Sequence, residues 1–292
     1  MFSDKIIQIS VVQSSTKALT IVIYQYNLPT IIFNRGKDMS DDSRNFYERY
    51  FVEQDFSSEE KLKQFERVEF IKRFARSAKI GPYGLAVGIG KGADLEVADK
   101  TSDVNIVALD LPFTYLPVVQ KNFPNALVLQ GDGTRLPFGD NIFDYIICSE
   151  VLEHVPDRKG IISEFSRVLK PDGILILTTP NWICLYGIAR FLIELFSRRA
   201  VHAGDQPLDN WVTPWSIKRE FAPYFRIKIM RGWWYFPPIG RGKFQLFPGF
   251  FTALWKLLMP LERLYQKIFP WFGHSVCIAA NPRKPTQIPD GN

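Results

Sequence analysis

The middle of the chain alternates between two patterns of apolar positions. Continuous runs of Val, Ile and Leu are separated by segments in which apolar residues recur at helical spacing. Continuous runs are typical of strands that are covered on both faces, as in a parallel sheet. They predict strands at 84–87, 105–109, 126–129, 143–148 and 173–179. Helices are predicted near 93–100, 114–122 and 159–169, and a turn at 170–173.

The segments on either side of this middle region have other patterns. Before it, acids in the first turn and apolar residues at helical spacing predict an amphipathic helix over 58–78. After it, helices are predicted over 182–196, 215–221 and 240–272, and strands at 225–234 and 275–280. The whole pattern predicts an α/β, doubly wound, Rossmann-like fold. Its sheet is mostly parallel and seven-stranded, with helices on both faces and an apolar helical insertion near the C-terminus.

Five segments follow from these patterns. They are a peripheral N-terminal extension (1–38), an N-terminal helical segment (39–80), a ligand-binding core (81–181), a region of helices with the last two strands (182–280), and a tail (281–292). The core holds the alternating strands and helices. The region after it therefore adds to the fold rather than repeating it.

Composition is ordinary for a soluble globular protein, with 46% hydrophobic and 23% charged residues in a chain of 292.

The three cysteines, Cys148, Cys184 and Cys277, are odd in number and lack metal-ligand spacing. They predict reduced, buried thiols in a reducing compartment. No run reaches the ~20 apolar residues of a membrane span. We therefore expect a cytoplasmic protein.

Charge is spread unevenly along the chain. Residues 182–292 hold 15 Lys and Arg against 6 Asp and Glu, a balance of +9, so the net +6 leaves −3 for residues 1–181. Within 244–272, basic residues alternate with apolar and aromatic ones. This pattern fits helices that cap the sheet, an apolar ligand pocket, or a helix lying on an anionic membrane surface. No nucleic-acid-reading module is found, so we expect no nucleic-acid partner.

Four glycine-rich or acidic signals each follow a predicted strand. They are the loop glycines Gly88, Gly90 and Gly92, then Asp110, then Asp132 with Gly133, and finally the run from Ser149 to His154. In an open parallel sheet, ligands bind outside the carboxyl ends of the strands. Together the signals predict one nucleoside-containing ligand lying across four strand ends.

Each signal has a chemical interpretation and a structural one. The glycines allow positive φ and close approach of a ligand, although a tight turn needs glycine too. Asp110, 20 residues beyond Gly90, fits a ribose-binding carboxylate or a helix cap. Asp132 fits an acceptor for an adenine amino group, with the Gly133 N–H free for a ring nitrogen, or a simple turn.

Longer motifs support the first interpretation. Leu136-Pro137-Phe138, the run 143–155, the run 164–173 and the run 178–181 resemble class I S-adenosylmethionine-dependent methyltransferases. The similarity covers about 65–181, with weaker traces to residue 280. It implies S-adenosylmethionine as cofactor and methyl transfer to a small-molecule or lipid-like acceptor, at oxygen or carbon. Residues 182–280 would then lie on the acceptor side, with peripheral membrane contact through 244–272 as one option.

The resemblance also implies roles for individual residues. The loop glycines would cradle the methionine moiety, and Asp110 would bind the ribose hydroxyls. Leu111, Asp132 and Gly133 would bind adenine. Ser149 and Glu150 would face the methionine moiety and the acceptor. These roles assign one part of the cofactor to each strand end.

Ala86 departs from the family pattern. The family has an acidic residue there, two before Gly88, which helps hold the loop and the cofactor's ammonium group. Its absence favours an alternative, a catalytically weak protein of methyltransferase fold. A nicotinamide-dependent oxidoreductase is a second alternative, but it would share only the glycine loop and Asp110.

Glu150, Glu153 and His154 form a cluster that has two interpretations. In the ubiquinone-type O-methyltransferases a similar Glu-x-x-Glu-His cluster binds a divalent metal. We expect no metal, because two carboxylates and one imidazole need not converge. His154, or His202 in the later loop, is the candidate general base for a hydroxyl acceptor. A capping or surface role is the alternative for both histidines.

Overall fold

The structure is a computed structural model of the chain. It describes residues 46, 67–69, 71–72, 81–97, 105–184, 187–188, 191–192, 195–196, 212–233, 235, 257 and 261–283. Predictions for 1–38, for most of 58–78 and for His202 lie outside these residues. So do those for 240–256 and 284–292.

Seven strands form one sheet. They are β1 (Tyr83–Val87), β2 (Asn105–Asp110), β3 (Leu127–Gln130), β4 (Phe143–Ser149), β5 (Leu169–Pro180), β6 (Phe225–Trp233) and β7 (Ser275–Pro282). Their order is β3-β2-β1-β4-β5-β7-β6. The first five pair in parallel, and β7 is antiparallel to both β5 and β6. The predicted seven-stranded, mostly parallel sheet is confirmed.

Four α-helices and two 3₁₀ helices lie wholly within the described residues. The α-helices are α1 (Leu116–Asn122), α2 (Arg158–Val168), α3 (Pro214–Phe221) and α4 (Glu262–Ile268), and the 3₁₀ helices are Ala93–Val97 and Leu152–His154. Residues 67–69 and 71–72 are also helical, within the predicted 58–78 helix. No helix among the described residues is long and apolar enough to cross a membrane.

Helices cover both faces of the sheet, as predicted. On one face, α2 and α3 bury a helical stripe that includes Ile161, Phe165 and Phe221 against the central strands. On the other face, the first 3₁₀ helix and α1 cover β1, β2 and β3. Ile71 packs there too, over β4, β5 and β7. The central strands are buried on both sides, which explains their continuous apolar sequences.

Three predicted boundaries differ from the structure. The helix near 93–100 is a 3₁₀ helix that the structure describes from Ala93 to Val97. The predicted turn at 170–173 lies inside β5 as a bulge, because β5 advances from residue 169 to 174 while β4 advances from 143 to 145. The predicted tail begins too early, since β7 pairs with β6 up to Pro282.

The three thiols are free and buried, as the sequence predicts. Burial raises the pKa of Cys277 to about 12. Burial also raises the pKa of Cys148 well above its usual value, and the carboxylates of Glu153, Asp94 and Asp110 add to that effect. Three acidic groups therefore act on the carboxyl end of β4.

A charged clamp explains part of the sequence motif between 136 and 168. Arg167 donates two hydrogen bonds of 2.7 Å to the Glu164 carboxylate, and others to the carbonyls of Phe138 and Leu136. Glu164 in turn accepts from the Leu136 N–H at 2.7 Å. The pKa of Arg167 is raised, chiefly by its hydrogen bond to Glu164. The clamp fixes the segment before β4 onto α2.

Replacing Arg167 with Lys is expected to lower the free energy of unfolding by about 1–2 kcal/mol, because a lysine cannot form the paired contacts of a guanidinium. Urea unfolding followed by circular dichroism measures this loss. Asp140→Asn is the control. Asp140 also contacts Arg167, but its side chain is 67% exposed, so its loss should be small. Equal losses in both variants would contradict the clamp.

Candidate active site

The predicted ligand-binding residues lie at one edge of the sheet. The loop that starts at Gly88 follows β1, and Asp110 ends β2. Gly131 follows β3, and Ser149 ends β4. Because these four strands are parallel neighbours in the sheet, their carboxyl ends meet at the same edge. The structure therefore brings together all four signals that the sequence singled out.

The loop after β1 has the conformation that only glycine adopts easily. Gly88, Gly90 and Gly92 have φ values of 71°, 49° and 89°. A Cβ on Gly88 would overlap the side chain of Val151, and one on Gly92 would lie 2.7 Å from the Phe123 ring. The glycines thus have a packing role as well as the conformational one. Ligand binding by this loop stays a prediction.

Asp110 fastens this loop to the next turn. Its Oδ2 accepts a hydrogen bond of 2.8 Å from the Gly90 N–H, and its Oδ1 accepts one of 2.7 Å from the Leu111 N–H. The Leu111 carbonyl in turn accepts from Gln130 Nε2 at 2.9 Å. Each carboxylate oxygen has further lone pairs, so these contacts leave capacity for ribose hydroxyls. Gln130 was not singled out by the sequence.

Asp132 is held in a tight turn after β3. Its Oδ1 accepts from both the N–H and the hydroxyl of Thr134, each at 2.8 Å. Asp132 is buried. Gly133 packs closely, since a Cβ there would lie 2.8 Å from Ile161 Cδ1. Adenine binding by Leu111, Asp132 and Gly133 stays a prediction.

Two buried hydroxyls lie side by side at the ends of β4 and β5. Ser149 and Thr178 are register partners and are 5% and 1% exposed. Neither hydroxyl oxygen has a hydrogen-bond partner in the described part of the chain. Buried polar atoms without partners are rare in native proteins, and each is a position where a bound group can complete the hydrogen bonding.

Glu150, the next residue, adopts a strained backbone conformation. Its φ is 56°, a value that residues other than glycine seldom adopt outside turns. The Glu150 N–H donates to the Thr178 carbonyl at 2.8 Å, which fixes this geometry. Strain of this kind concentrates at ligand-binding positions. The position agrees with the predicted role of Glu150 beside the methionine moiety, which stays a prediction.

Glu153 and His154 lie together in the second 3₁₀ helix. Glu153 is buried and accepts a hydrogen bond of 3.1 Å from the Thr179 hydroxyl, while His154 Nε2 lies 3.7 Å from Glu153 Oε1. In the part of the chain that the structure describes, no three His, Cys, Asp or Glu side chains are placed to hold a metal ion. The alternative metal site at Glu150, Glu153 and His154 stays a prediction.

An ion pair that the sequence did not reveal lies beside the glycine loop. Asp94, in the 3₁₀ helix after the loop, is buried and lies 3.3 Å from Arg67 Nη2. Ala86, where the family has an acid, is fully buried between the sheet and this helix. A buried carboxylate is thus present near the loop, but it is provided eight residues later in the chain. Only the fold shows that Arg67 and Asp94 meet.

Comparison with known proteins agrees with this geometry. Residues 85–177 match the model of a methyltransferase domain. A probable S-adenosylmethionine-dependent methyltransferase of Mycolicibacterium smegmatis is 33% identical over 96 residues, which covers 33% of this chain and 36% of that protein. The sterol 24-C-methyltransferase of Schizosaccharomyces pombe is 27% identical over 161 residues, covering 53% of this chain and 40% of that protein.

The fold has a solved counterpart. A chain from the complex of the Haloferax volcanii Trm112 methyltransferase activator with a methyltransferase aligns with a TM-score of 0.55 at 15% identity. The alignment covers 83% of this chain and 98% of that one, and it supports the fold alone. The chain spans less than half the length of the two curated relatives.

Residues 85–177 therefore match a methyltransferase domain, and S-adenosylmethionine is the cofactor in the name of the Mycolicibacterium smegmatis relative. One observation fits such a cofactor: the Ser149 hydroxyl is a buried donor with no hydrogen-bond partner among the described residues. Asp110 lies between the loop and the second turn, and its ribose-binding role stays a prediction.

Replacing Asp110 with Asn is expected to weaken S-adenosylmethionine binding at least about tenfold, a loss of about 1.4 kcal/mol. An amide has one acceptor oxygen and cannot serve the Gly90 and Leu111 N–H groups together. Isothermal titration calorimetry measures the change. Asp172→Asn is the control, because Asp172 is exposed and lies in the bulge of β5. An unchanged affinity would remove Asp110 from the cofactor site.

Proposed function

We propose that the protein transfers the methyl group of S-adenosylmethionine to a small-molecule or lipid-like acceptor, at oxygen or carbon. One observation carries the proposal. The Asp110 carboxylate bridges the glycine loop and the second turn, at the same sheet edge as the partnerless Ser149 hydroxyl. A ribose and a methionine moiety need these two kinds of group on neighbouring strand ends.

The cofactor, when bound, supplies an electrophilic methyl group on a sulfonium. The residues of the chain then have mainly a positioning role, because direct displacement needs acceptor, carbon and sulfur in line. Asp110 orients the ribose, and Ser149 and Glu150 border the methionine moiety. The negative groups near the end of β4 also suit a cofactor that carries ammonium and sulfonium charges.

His154 is the proposed base for an oxygen acceptor. Its side chain is 19% exposed, and its Nε2 lies 3.7 Å from Glu153 Oε1, so a proton taken from the acceptor would be held beside a carboxylate. Glu153 itself is held by Thr179, so the pair has a fixed position beside β5. A carbon acceptor that must lose a proton in the reaction would need this base as well. The role of His202 as a base stays a prediction from the sequence, because His202 lies outside the described residues.

A lipid-like acceptor and a cytoplasmic location with peripheral membrane contact through 244–272 are the finer parts of the proposal. The S. pombe relative acts on a sterol, by its name. Within 244–272, the described residues Leu257, Leu261, Leu264 and Ile268 are exposed. An apolar acceptor dissolved in a membrane is reached more easily by an enzyme with such a surface.

The second candidate function is that of a methyltransferase-fold protein with weak or lost catalysis. Ala86 favours this candidate, because the family has an acidic residue at that position. Calorimetry with S-adenosylmethionine and its demethylated product separates the two candidates. Binding of both ligands in the micromolar range supports the enzyme, whereas no binding supports the inactive protein. Binding of a nicotinamide dinucleotide instead would support the oxidoreductase.

The acceptor is found by comparing metabolites and lipids of deletion and wild-type cells. The deletion strain is expected to lack a compound and to accumulate its precursor, which differs by one methylene in mass. The purified protein should then convert the precursor when S-adenosylmethionine is added. No difference in either extract would contradict the proposed transfer.

Glu150→Gly and Glu150→Ala are expected to separate strain from function. Both remove the carboxylate, so both should weaken S-adenosylmethionine binding about tenfold or more, measured by calorimetry. Only glycine relieves the positive φ, so Glu150→Gly should be more stable than Glu150→Ala by about 1 kcal/mol in urea unfolding. Affinities equal to the wild type would place Glu150 outside the site.

A further inference from the structure

Helical residues that follow the core expose an apolar stripe. The described positions Ile188, Phe191, Leu192, Leu195 and Phe196 are each between 44% and 81% exposed. Their spacing of three, one, three and one residues keeps them on one side of a helix. Scattered apolar residues are normal on a protein surface, but a contiguous stripe indicates an interaction site.

A second apolar stripe lies on α4 and before it in the chain. Leu264 and Ile268 on α4 are 53% and 57% exposed, and the preceding Leu257 and Leu261 are 71% and 42% exposed. Phe269 and Trp271, directly after the helix, are 50% and 44% exposed. Two separate helical segments after the core therefore expose apolar residues where helix packing would normally bury them.

Helix α3 carries cationic and aromatic groups beside the second stripe. Lys218 Nζ lies 5.0 Å from the centroid of the Trp271 ring. Trp215, one turn before Lys218, is 58% exposed, and Arg219 is exposed too. The Trp271 carbonyl accepts from Asn181 Nδ2 at 2.7 Å, so the end of β5 adjoins this position. We call the two stripes with Trp215, Lys218, Arg219 and Trp271 the apolar-basic surface.

Charge decides which occupant fits the apolar-basic surface. Exposed Lys267 lies on α4 between Leu264 and Ile268, and residues 182–292 carry +9 in all. An anionic lipid surface attracts basic residues and accepts apolar side chains and tryptophans at its boundary. A second copy of this chain would bring the same positive charges together, which opposes association.

We propose that the apolar-basic surface binds the surface of an anionic lipid bilayer. The proposal deepens the membrane contact proposed for 244–272, because it adds the stripe at 188–196 and the cations of α3. It does not depend on methyl transfer. Lipid binding can be present whether or not the cofactor site is active.

Co-sedimentation of the full chain with vesicles tests the proposal. The vesicles contain phosphatidylglycerol with phosphatidylcholine, or phosphatidylcholine alone, at low and at high salt. The wild type is expected to bind the anionic vesicles more strongly, with a decrease at high salt because the charges are screened. Leu264→Glu with Ile268→Glu, and Phe191→Glu with Leu195→Glu, are each expected to lower the partition coefficient at least tenfold.

A matched control uses an exposed apolar residue far from this surface. Val118 on α1 is 58% exposed, and α1 packs on β3 at one edge of the sheet while α3 and α4 pack on β6 at the other. Val118→Glu should leave vesicle binding unchanged. Lys218→Gln with Arg219→Gln should lower binding to anionic vesicles about fivefold for each charge and leave binding to neutral vesicles unchanged. Circular dichroism checks the fold of each variant.

Three results would overturn the proposal. One is wild-type binding that neither glutamate pair reduces. Another is no binding to either vesicle. The third is a wild-type dimer in sedimentation velocity that the glutamate pairs convert to monomer, without vesicle binding. Calorimetry with S-adenosylmethionine on the same variants is expected to match the wild type. A failure of the cofactor site is therefore distinguished from a failure of lipid binding.

Discussion

The parallel pairing of β1 with β2 and β4, buried on both faces, is the constraint on which the site depends. A shift of such a strand along its neighbours would place other side chains against the covering helices and would draw the polar residue that ends β2, Asp110, into the core. Their register therefore sets where each strand ends, and every turn that follows is held at the same edge. The turns also contain residues with positive φ, namely the loop glycines and Glu150. These residues have fixed positions on that edge.

Protein contacts organise this edge before any ligand contributes. Asp110 connects the first two turns, Thr134 fixes Asp132, and the clamp of Glu164 and Arg167 positions the segment that leads into β4. Preorganisation of this kind lowers the entropy that a ligand must lose on binding. The hydroxyls of Ser149 and Thr178 differ from these groups, since their hydrogen bonding is incomplete.

Much of the sheet could be predicted from sequence, because strands covered on both faces have continuous apolar runs and fixed turn residues. The order of the four site signals followed from the same rule. Contacts between distant segments could not be predicted. Arg67 and Asp94, for example, form an ion pair although they lie 27 residues apart in the chain. Likewise, the bulge in β5 looks like a plain turn in sequence, since pairing across β4 determines its form. The close packing of Gly133 on Ile161 has no local signal either.

The position of β7 has a consequence for how the chain reaches its native state. β7 lies between β5 and β6, so β6 joins the sheet only through a strand that is synthesised after it. Until β7 has left the ribosome, the edge of β5 is unpaired and β6 has no partner in the sheet. An open edge of this kind is prone to wrong pairing with other chains. Completion of the sheet beyond β5 is therefore a late event, and a nascent chain that ends before Ser275 has this edge open.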